Sequence, residues 1–139
     1  MTATQVEGFF QDYAAAFSRF GVDAVGDLWA YPAHMVGRGK RAALDAEQFR
    51  INTMGLCAFY KYQGMARATK RVLDFTPLTA TTASVRTADQ ILDADGQLII
   101  SWEHVYLLSD TPDGIKAVTA LPDNELDAWQ ARGTPMGSW

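Results

Sequence analysis

Cysteine is nearly absent from this sequence: Cys57 is the only one among 139 residues. A single thiol cannot form an internal disulfide or a cysteine-based metal cluster. Free cysteine is most often packed inside proteins as a small hydrophobic residue, and we expect the same of Cys57. Neither kind of cross-link therefore supports the fold.

Long apolar runs are lacking as well. No segment approaches the roughly 18 consecutive apolar residues of a membrane-spanning helix, and residues 1–8 do not pair basic charges with an apolar run as secretory signals do. The net charge of −4 also argues against general nucleic-acid binding. We expect a cytoplasmic protein with neither a membrane nor a nucleic-acid partner.

The composition is that of an ordinary globular domain, with 48% hydrophobic and 20% charged residues. A chain of 139 residues is long enough for one domain and short for two. We therefore expect residues 1–139 to form a single domain. About 133–139 is expected to be a loose C-terminal tail, unless Trp139 docks on a partner.

Two helices are predicted at the start of the chain. Apolar residues recur at three- and four-residue steps up to residue 20, and Thr4 and Glu7 form a capping-box pattern, which predicts a long first helix. Asp23 can cap a second, shorter helix. That helix is expected to stop near Tyr31, because the residue before Pro32 is disfavoured in helical conformation.

The rest of the chain predicts one more helix and a sheet. Residues 33–36 indicate a short strand and residues 37–40 a turn, after which Asp45 and Gln48 form a capping box for a third helix to about Gln63. Turn signals then separate four strands at 67–76, 82–92, 97–108 and 115–121. One more helical turn is expected after Pro122. Helices first and a meandering sheet last predict an α+β fold.

The order of these elements, and the run YAAAFSRFGVDAVGDLWAYPAHMV from Tyr13 to Val36, resemble the nuclear-transport-factor-2-like superfamily. That superfamily includes ketosteroid isomerases, scytalone dehydratase and polyketide cyclases; no subfamily is assigned. The resemblance implies a cone-shaped α+β fold, in which a curved mixed or antiparallel sheet wraps around the long N-terminal helix with two further helices and encloses an apolar pocket. It also implies a homodimer formed through the outer sheet face. The strand at 97–108 fits this expectation, because it is apolar on both faces: helices can cover one face and a second subunit the other.

Comparison with ketosteroid isomerases argues against one activity, that of the ketosteroid isomerases themselves. In that family a tyrosine of the first helix donates a hydrogen bond to the substrate oxygen, and an aspartate at the end of the first strand moves the proton. An ungapped alignment from Tyr13 keeps the tyrosine but places Gly37 at the aspartate position, and the adjacent Val36 and Arg38 offer no base. Classical ketosteroid isomerase activity is therefore disfavoured.

Acid–base chemistry by other pocket residues is the first functional hypothesis. Its candidate catalytic residues are His34, Asp89, His104 and Tyr13. Imidazole has its ordinary pKa near working pH, and an inward Asp89 would serve as a base or would orient a histidine. The substrate would be a small hydrophobic or aromatic molecule, and the reaction would be of isomerase, dehydratase or cyclase type.

Strand alternation leaves the direction of the histidines open. Trp102, His104 and Tyr106 share one face of their strand, and Glu103 lies on the other. If the first face is inward, His104 stands between two aromatic residues in the pocket. If it is outward, Glu103 is the pocket acid and the aromatic residues belong to a dimer face. Whether His34 points inward is open in the same way.

A non-catalytic module is the second hypothesis: a protein that binds an apolar ligand, or a dimerisation or accessory subunit. Aromatic residues at helical spacing are equally typical of an ordinary core, and a lone histidine is often a hydrogen-bonded structural residue. No cofactor or metal is expected, because no ligand spacing unites His34 and His104. The predicted ligand-pocket residues are Phe17, Trp29, Tyr31, Phe59, Trp102 and Tyr106.

Overall fold

A computed structural model describes residues 1–136, which form four helices and a six-stranded sheet. The helices are α1 (Ala3–Ser18), α2 (Val22–Gly26), α3 (Ala46–Tyr62) and α4 (Asp123–Arg132). The strands are β1 (Trp29–Gly37), β2 (Lys40–Leu44), β3 (Arg67–Pro77), β4 (Thr82–Leu92), β5 (Leu98–Thr111) and β6 (Gly114–Leu121). None of the described helices is long and apolar enough to cross a membrane. Trp139, whose docking on a partner was the alternative to a loose tail, lies outside the described residues.

The sheet has the strand order β2-β1-β6-β5-β4-β3. β1 and β6 run parallel and every other neighbouring pair is antiparallel, so the sheet is mixed. Register shifts interrupt four of the five pairings, and such bulges bend a sheet. The predicted α+β fold with a curved mixed sheet is confirmed.

The long first helix buries an apolar stripe of seven residues against the inner face of this sheet. Its capping box is formed by Thr2 and Gln5, not by Thr4 and Glu7 as the sequence suggested, so α1 begins earlier than predicted. At its other end the Ser18 hydroxyl accepts a hydrogen bond from the backbone N of Ala68, 2.9 Å away, which ties α1 to β3. The helix therefore forms one wall of the space that the curved sheet encloses.

Three predictions for β1, β2 and α4 were wrong. The second helix ends at Gly26 and β1 begins at Trp29, because this segment pairs with β6 and the backbone N of Ala117 donates to the carbonyl of Leu28. β2 was missed: it is an exposed edge strand that pairs only with β1. The expected single turn after Pro122 is the ten-residue helix α4, so three helices accompany α1 where two were predicted.

The other elements follow the predicted pattern. Asp45 and Gln48 form the predicted capping box of α3, and β4 has the predicted bounds Thr82–Leu92. Of the predicted tail 133–139, residues 133–136 are described. There Met136 packs against the hydrophobic core and lines the cavity described below.

Candidate active site

An apolar cavity of about 410 Å³ lies between the inner face of the sheet and helices α1, α3 and α4. This volume is typical of sites that bind small molecules. Five of the six predicted ligand-pocket residues line it. They are Phe17, Trp29, Phe59, Trp102 and Tyr106.

Tyr31, the sixth, is not among the lining residues. Its side chain lies on the exposed surface, 38% accessible, and its hydroxyl donates to the carbonyl of Gly26 at 2.7 Å. Regular alternation would place Tyr31 on the same face as the buried Trp29 and Ala33. The register of β1 against β6 shifts between Trp29 and His34, so the alternation is interrupted in this segment.

The predicted catalytic residue His34 is also outside the cavity. It is exposed, whereas Ala33 is buried and Met35 lines the cavity, so the inward pair of β1 is Ala33 and Met35. His34 therefore cannot reach a molecule bound in the cavity. His34 and His104 do not converge, and no group of three His, Cys, Asp or Glu side chains in residues 1–136 could hold a metal ion.

β5 directs its aromatic face inward. Trp102, His104 and Tyr106 all line the cavity. Glu103 points outward, where its carboxylate is 3.4 Å from the guanidinium of Arg86. His104 is thus the pocket residue, and Glu103 is not.

Asp89 lies inward, but its partner is a lysine. It forms an ion pair with Lys70, the residue opposite it on β3, and both side chains are almost fully buried. Asp89 also accepts a hydrogen bond of 2.6 Å from the Thr87 hydroxyl. Asp89 therefore does not orient a histidine, as one interpretation of the sequence expected.

Lys70 continues this network towards α1. Its ammonium donates to the Tyr106 hydroxyl at 2.6 Å and lies 4.9 Å from the ring centroids of Tyr13 and Tyr106. The Tyr13 hydroxyl accepts a hydrogen bond from the Trp29 indole at 3.1 Å. Burial raises the pKa of Tyr13 and Tyr106 well above the ordinary value, so both remain neutral phenols.

Glu125 supplies a second polar group, from α4. Its Oε2 accepts hydrogen bonds from the Tyr60 hydroxyl and, at 3.2 Å, from the Trp129 indole. Burial raises the pKa of Glu125 to about 7, an effect that the hydrogen bond from Tyr60 and the positive charge of Lys70 oppose. The Glu125 carboxyl therefore gains or loses its proton near neutral pH.

His104 lies beside this carboxyl. Its Nδ1 accepts a hydrogen bond of 2.9 Å from the Trp102 indole and is 3.9 Å from Oε1 of Glu125. Burial, helped by the charge of Lys70, lowers the pKa of His104 well below its ordinary value. The ring is therefore neutral, and because Nδ1 is an acceptor, Nε2 carries the proton.

Sequence reasoning missed Lys70 and Glu125. Each of them becomes recognisable only once the neighbouring element is known. Lys70 and Asp89 are opposite each other in the register of β3 and β4, and an inward carboxylate needs an opposite charge nearby. Glu125 precedes Trp129 by four residues, so both lie on one face of a helix once α4 is recognised as a helix.

The structure also explains why position 37 is a glycine. A Cβ on Gly37 would lie 2.0 Å from Oδ1 of Asp123, which accepts a hydrogen bond from the backbone N of Arg38. The start of α4 therefore occupies the space next to β1. The carboxyl that lines the cavity belongs to Glu125, two residues further along α4.

The sequence matches, over residues 4–125, the family described as NTF2-like protein (DUF6841). The chain belongs to this family. A search of the curated proteins finds none that matches it.

Solved structures with the same fold support this NTF2-like assignment. A ketosteroid isomerase-like protein from Erwinia carotovora atroseptica has a TM-score of 0.64 at 17% identity, over 85% of this chain and 92% of that one. An NTF2-like protein with a cystatin-like fold from Novosphingobium aromaticivorans has a TM-score of 0.67 at 14% identity, over 98% and 88%. A structure from Streptomyces avermitilis, named as a proposed dehydratase of the NTF2-like family, has a TM-score of 0.63 at 17% identity, over 85% and 92%. At these identities the likeness shows the fold alone.

Proposed function

We propose that this NTF2-like protein binds a small aromatic or otherwise apolar molecule in its cavity and transfers a proton to or from it through Glu125. One observation carries this proposal. Glu125 is a cavity carboxyl with one oxygen held by two donors and a pKa of about 7. A general acid or base works best when its pKa lies near the working pH.

The other polar residues have supporting roles in this proposal. The neutral His104 offers its Nε2 proton as a hydrogen-bond donor to a substrate oxygen on which negative charge develops. The pair Lys70 and Asp89, together with Tyr13 and Tyr106, forms a fixed polar end to a mostly apolar cavity. Asp89, His104 and Tyr13 of the predicted catalytic set thus stay in the proposal as positioning or hydrogen-bonding residues, and His34 leaves it.

The reaction class is an isomerisation, dehydration or cyclisation that begins with removal of a proton from carbon. The structures named ketosteroid isomerase-like and as a proposed dehydratase share the fold, and both names describe proton-transfer chemistry. In this proposal the carboxyl comes from α4 and not from the end of the first strand, where Gly37 stands. Classical ketosteroid isomerase activity remains disfavoured.

A carbon acid of the right size tests the proposal without knowledge of the natural substrate. In 5-nitrobenzisoxazole, removal of the ring C–H proton by a base breaks the N–O bond and releases a coloured cyanonitrophenolate. We expect turnover that rises with pH with a midpoint near 7, as the Glu125 carboxylate forms. Glu125→Gln should lower it by about a hundredfold, the typical weight of a positioned base.

The matched control is Asp127→Asn, which removes a carboxylate two residues along α4 whose side chain is 71% exposed. It should leave turnover unchanged. Turnover that Glu125→Gln does not reduce would contradict the role of Glu125. Binding of the probe without turnover would favour the alternative of a non-catalytic ligand-binding module.

We also propose a homodimer formed through the outer sheet face, and a cytoplasmic location. Val36 and Leu121 are apolar and 36% and 40% exposed on that face, and the half-buried Val105 lies directly opposite Leu121 on β5. Such a strip favours a second copy as its cover. Leu121→Lys should convert a dimer into a monomer in analytical ultracentrifugation, and a monomeric wild type would contradict the proposal. The single cysteine is compatible with a reducing compartment.

A further inference from the structure

The charged residues of the cavity are few and unevenly balanced. Among the described lining residues, Lys70 is a cation and Asp89 and Glu125 are carboxyl groups. His104 is neutral, for the reasons given above. Whatever binds in this space meets one positive group and two acidic ones.

The positive charge of Lys70 is already paired with a carboxylate of the protein. Its ammonium contacts the carboxylate of Asp89, donates to the Tyr106 hydroxyl at 2.6 Å and lies against the rings of Tyr13 and Tyr106. The Lys70 side chain is 8% exposed. An anionic ligand that shared this ammonium would bring a second negative charge beside the buried carboxylate of Asp89, and one that displaced Asp89 would leave that carboxylate buried and unpaired.

A buried carboxyl oxygen that is still available to a ligand is Oε1 of Glu125. Both donors that bind this carboxyl, the Tyr60 hydroxyl and the Trp129 indole, reach Oε2. Oε1 accepts no hydrogen bond from the described residues, and its near neighbour is Nδ1 of His104 at 3.9 Å, which is itself an acceptor. A ligand hydroxyl can donate to this oxygen when Glu125 is ionised, and a ligand carbonyl can accept from it when Glu125 is protonated.

We propose that the cavity takes an uncharged aromatic molecule with one hydroxyl or carbonyl group, whose oxygen lies at Oε1 of Glu125, and that it rejects aromatic carboxylates. This deepens the proposed function and rests on it, since it uses the same cavity and the same carboxyl. An aromatic carboxylate would face Glu125 without a free cation to pair with, and an isolated buried charge is costly. An aromatic ammonium would have to give up its hydration on entering the cavity, while the donors at Oε2 and the charge of Lys70 already offset much of the charge of Glu125.

Calorimetric titration with three naphthalenes of the same shape tests this selectivity. The probes are 2-naphthol, 2-naphthoate and 2-naphthylmethylammonium, used on the intact chain at about pH 8 and about pH 6. We expect naphthol to bind at least about tenfold more tightly than either ion at pH 8, which corresponds to about 1.4 kcal/mol. The penalty against naphthoate should shrink at pH 6, where Glu125 is mostly protonated.

Glu125→Gln should remove the pH dependence of the naphthoate penalty, because glutamine does not ionise. The matched control Glu103→Gln removes a carboxylate on the outer face of β5, 52% exposed, and should behave like the wild type. If Glu125→Gln fails to fold, Tyr60→Phe serves instead. It removes a hydrogen bond that lowers the pKa of Glu125, so the naphthoate penalty should appear at higher pH.

Tightest binding by naphthoate or by the ammonium probe, or binding by none of the three, would overturn the proposal. The outcome is separable from the test of proton transfer. Naphthol selectivity without benzisoxazole turnover would leave the ligand class standing and remove catalysis. Benzisoxazole turnover together with tightest binding of naphthoate would support proton transfer and rule out the proposed ligand class.

Discussion

Lys70 and Asp89 face each other across β3 and β4 and form an ion pair whose side chains are only 8% and 3% exposed. Strands present one face to the core, so a charge on that face must find its partner within the sheet or an adjoining helix. The pair gives the cavity a polar end whose charges cancel. Glu125, with no cation in direct contact among the described residues, is then the acidic group left to titrate near neutral pH.

Loss of Lys70 should destabilise the fold strongly. Lys70→Met leaves Asp89 buried without its partner, and breaking such a pair typically lowers the free energy of unfolding by about 3 to 5 kcal/mol. The double variant Lys70→Met/Asp89→Asn removes both charges and should recover most of this loss. Urea denaturation measures both effects.

An exposed ion pair provides the control for Lys70. Arg86 lies 3.6 Å from Asp74 and 3.4 Å from Glu103, with 45% of its side chain exposed. Arg86→Met should cost about 1 kcal/mol or less. Equal losses for Lys70→Met and Arg86→Met would contradict the view that burial makes the Lys70 pair important.

Gly37 should resist even the smallest substitution. A Cβ there would lie 2.0 Å from Oδ1 of Asp123, so Gly37→Ala must displace a carboxylate that accepts from the backbone N of Arg38. We expect a loss of about 1 to 3 kcal/mol in the free energy of unfolding, as for other overpacked sites. Thermal and urea denaturation provide the measurement.

Gly8 is the matched control for this steric effect. It lies within α1, and a Cβ added there would meet no neighbouring atom within 4 Å, so Gly8→Ala should stabilise the chain by about 0.5 to 1 kcal/mol. Adding Asp123→Ala to Gly37→Ala should relieve the clash and make the two changes non-additive. If the losses in free energy of unfolding caused by Gly37→Ala and Asp123→Ala simply added, a clash with Asp123 would not be the reason that position 37 requires glycine.

The pKa of Glu125 predicts a pH dependence of stability. In the folded chain the pKa is raised from 4.5 to about 7, so between these values the folded state binds more protons than the unfolded state. The contribution of this group is therefore fully present below about pH 4.5 and is lost as pH rises through 7. The difference between these two pKa values corresponds to about 3 kcal/mol in the free energy of unfolding. Glu125→Gln, which cannot ionise, should gain about that much stability relative to the wild type across this range.

The comparison between the two proteins is needed because His104 acts in the opposite direction. Its pKa is lowered by burial, so its contribution is present above its ordinary pKa and declines as pH falls. That contribution is common to both proteins and cancels in the difference. The free energy of unfolding of Asp127→Asn should change with pH in the same way as that of the wild type. If Glu125→Gln also followed the wild type, the pKa of Glu125 would not be raised in the folded chain.

Sequence patterns predicted the sheet well and the polar site only in part. Period-two alternation and turn signals were enough to predict β4 and to place Asp89 on the same face as Thr87. Alternation could not say whether Trp102 and His104 point inward, since that depends on which face α1 and α4 cover. It could not reveal β2 either, because an exposed edge strand carries little hydrophobic signal.

The missing site residues share one cause. Lys70 and Glu125 are charged residues in segments whose pattern is typical of solvent-exposed chain, and charged residues are almost never fully buried unless paired. Their burial depends on partners 19 and 65 residues away, Asp89 and Tyr60. Such pairings are tertiary, so local periodicity does not contain them. His34 shows the opposite error. Its imidazole suggested a catalytic role, but its side chain is exposed on β1 and does not line the cavity.

The protonation of Glu125 is the most direct test of the proposed acid–base role. Carbon-13 NMR of the chain labelled at glutamate Cδ follows each carboxyl through a pH titration, and the signal missing in Glu125→Gln identifies the residue. We predict a midpoint near pH 7 for that signal. A midpoint near 4.5, the ordinary value, would contradict the role, because Glu125 would then be a fully ionised structural carboxylate and not an acid–base group.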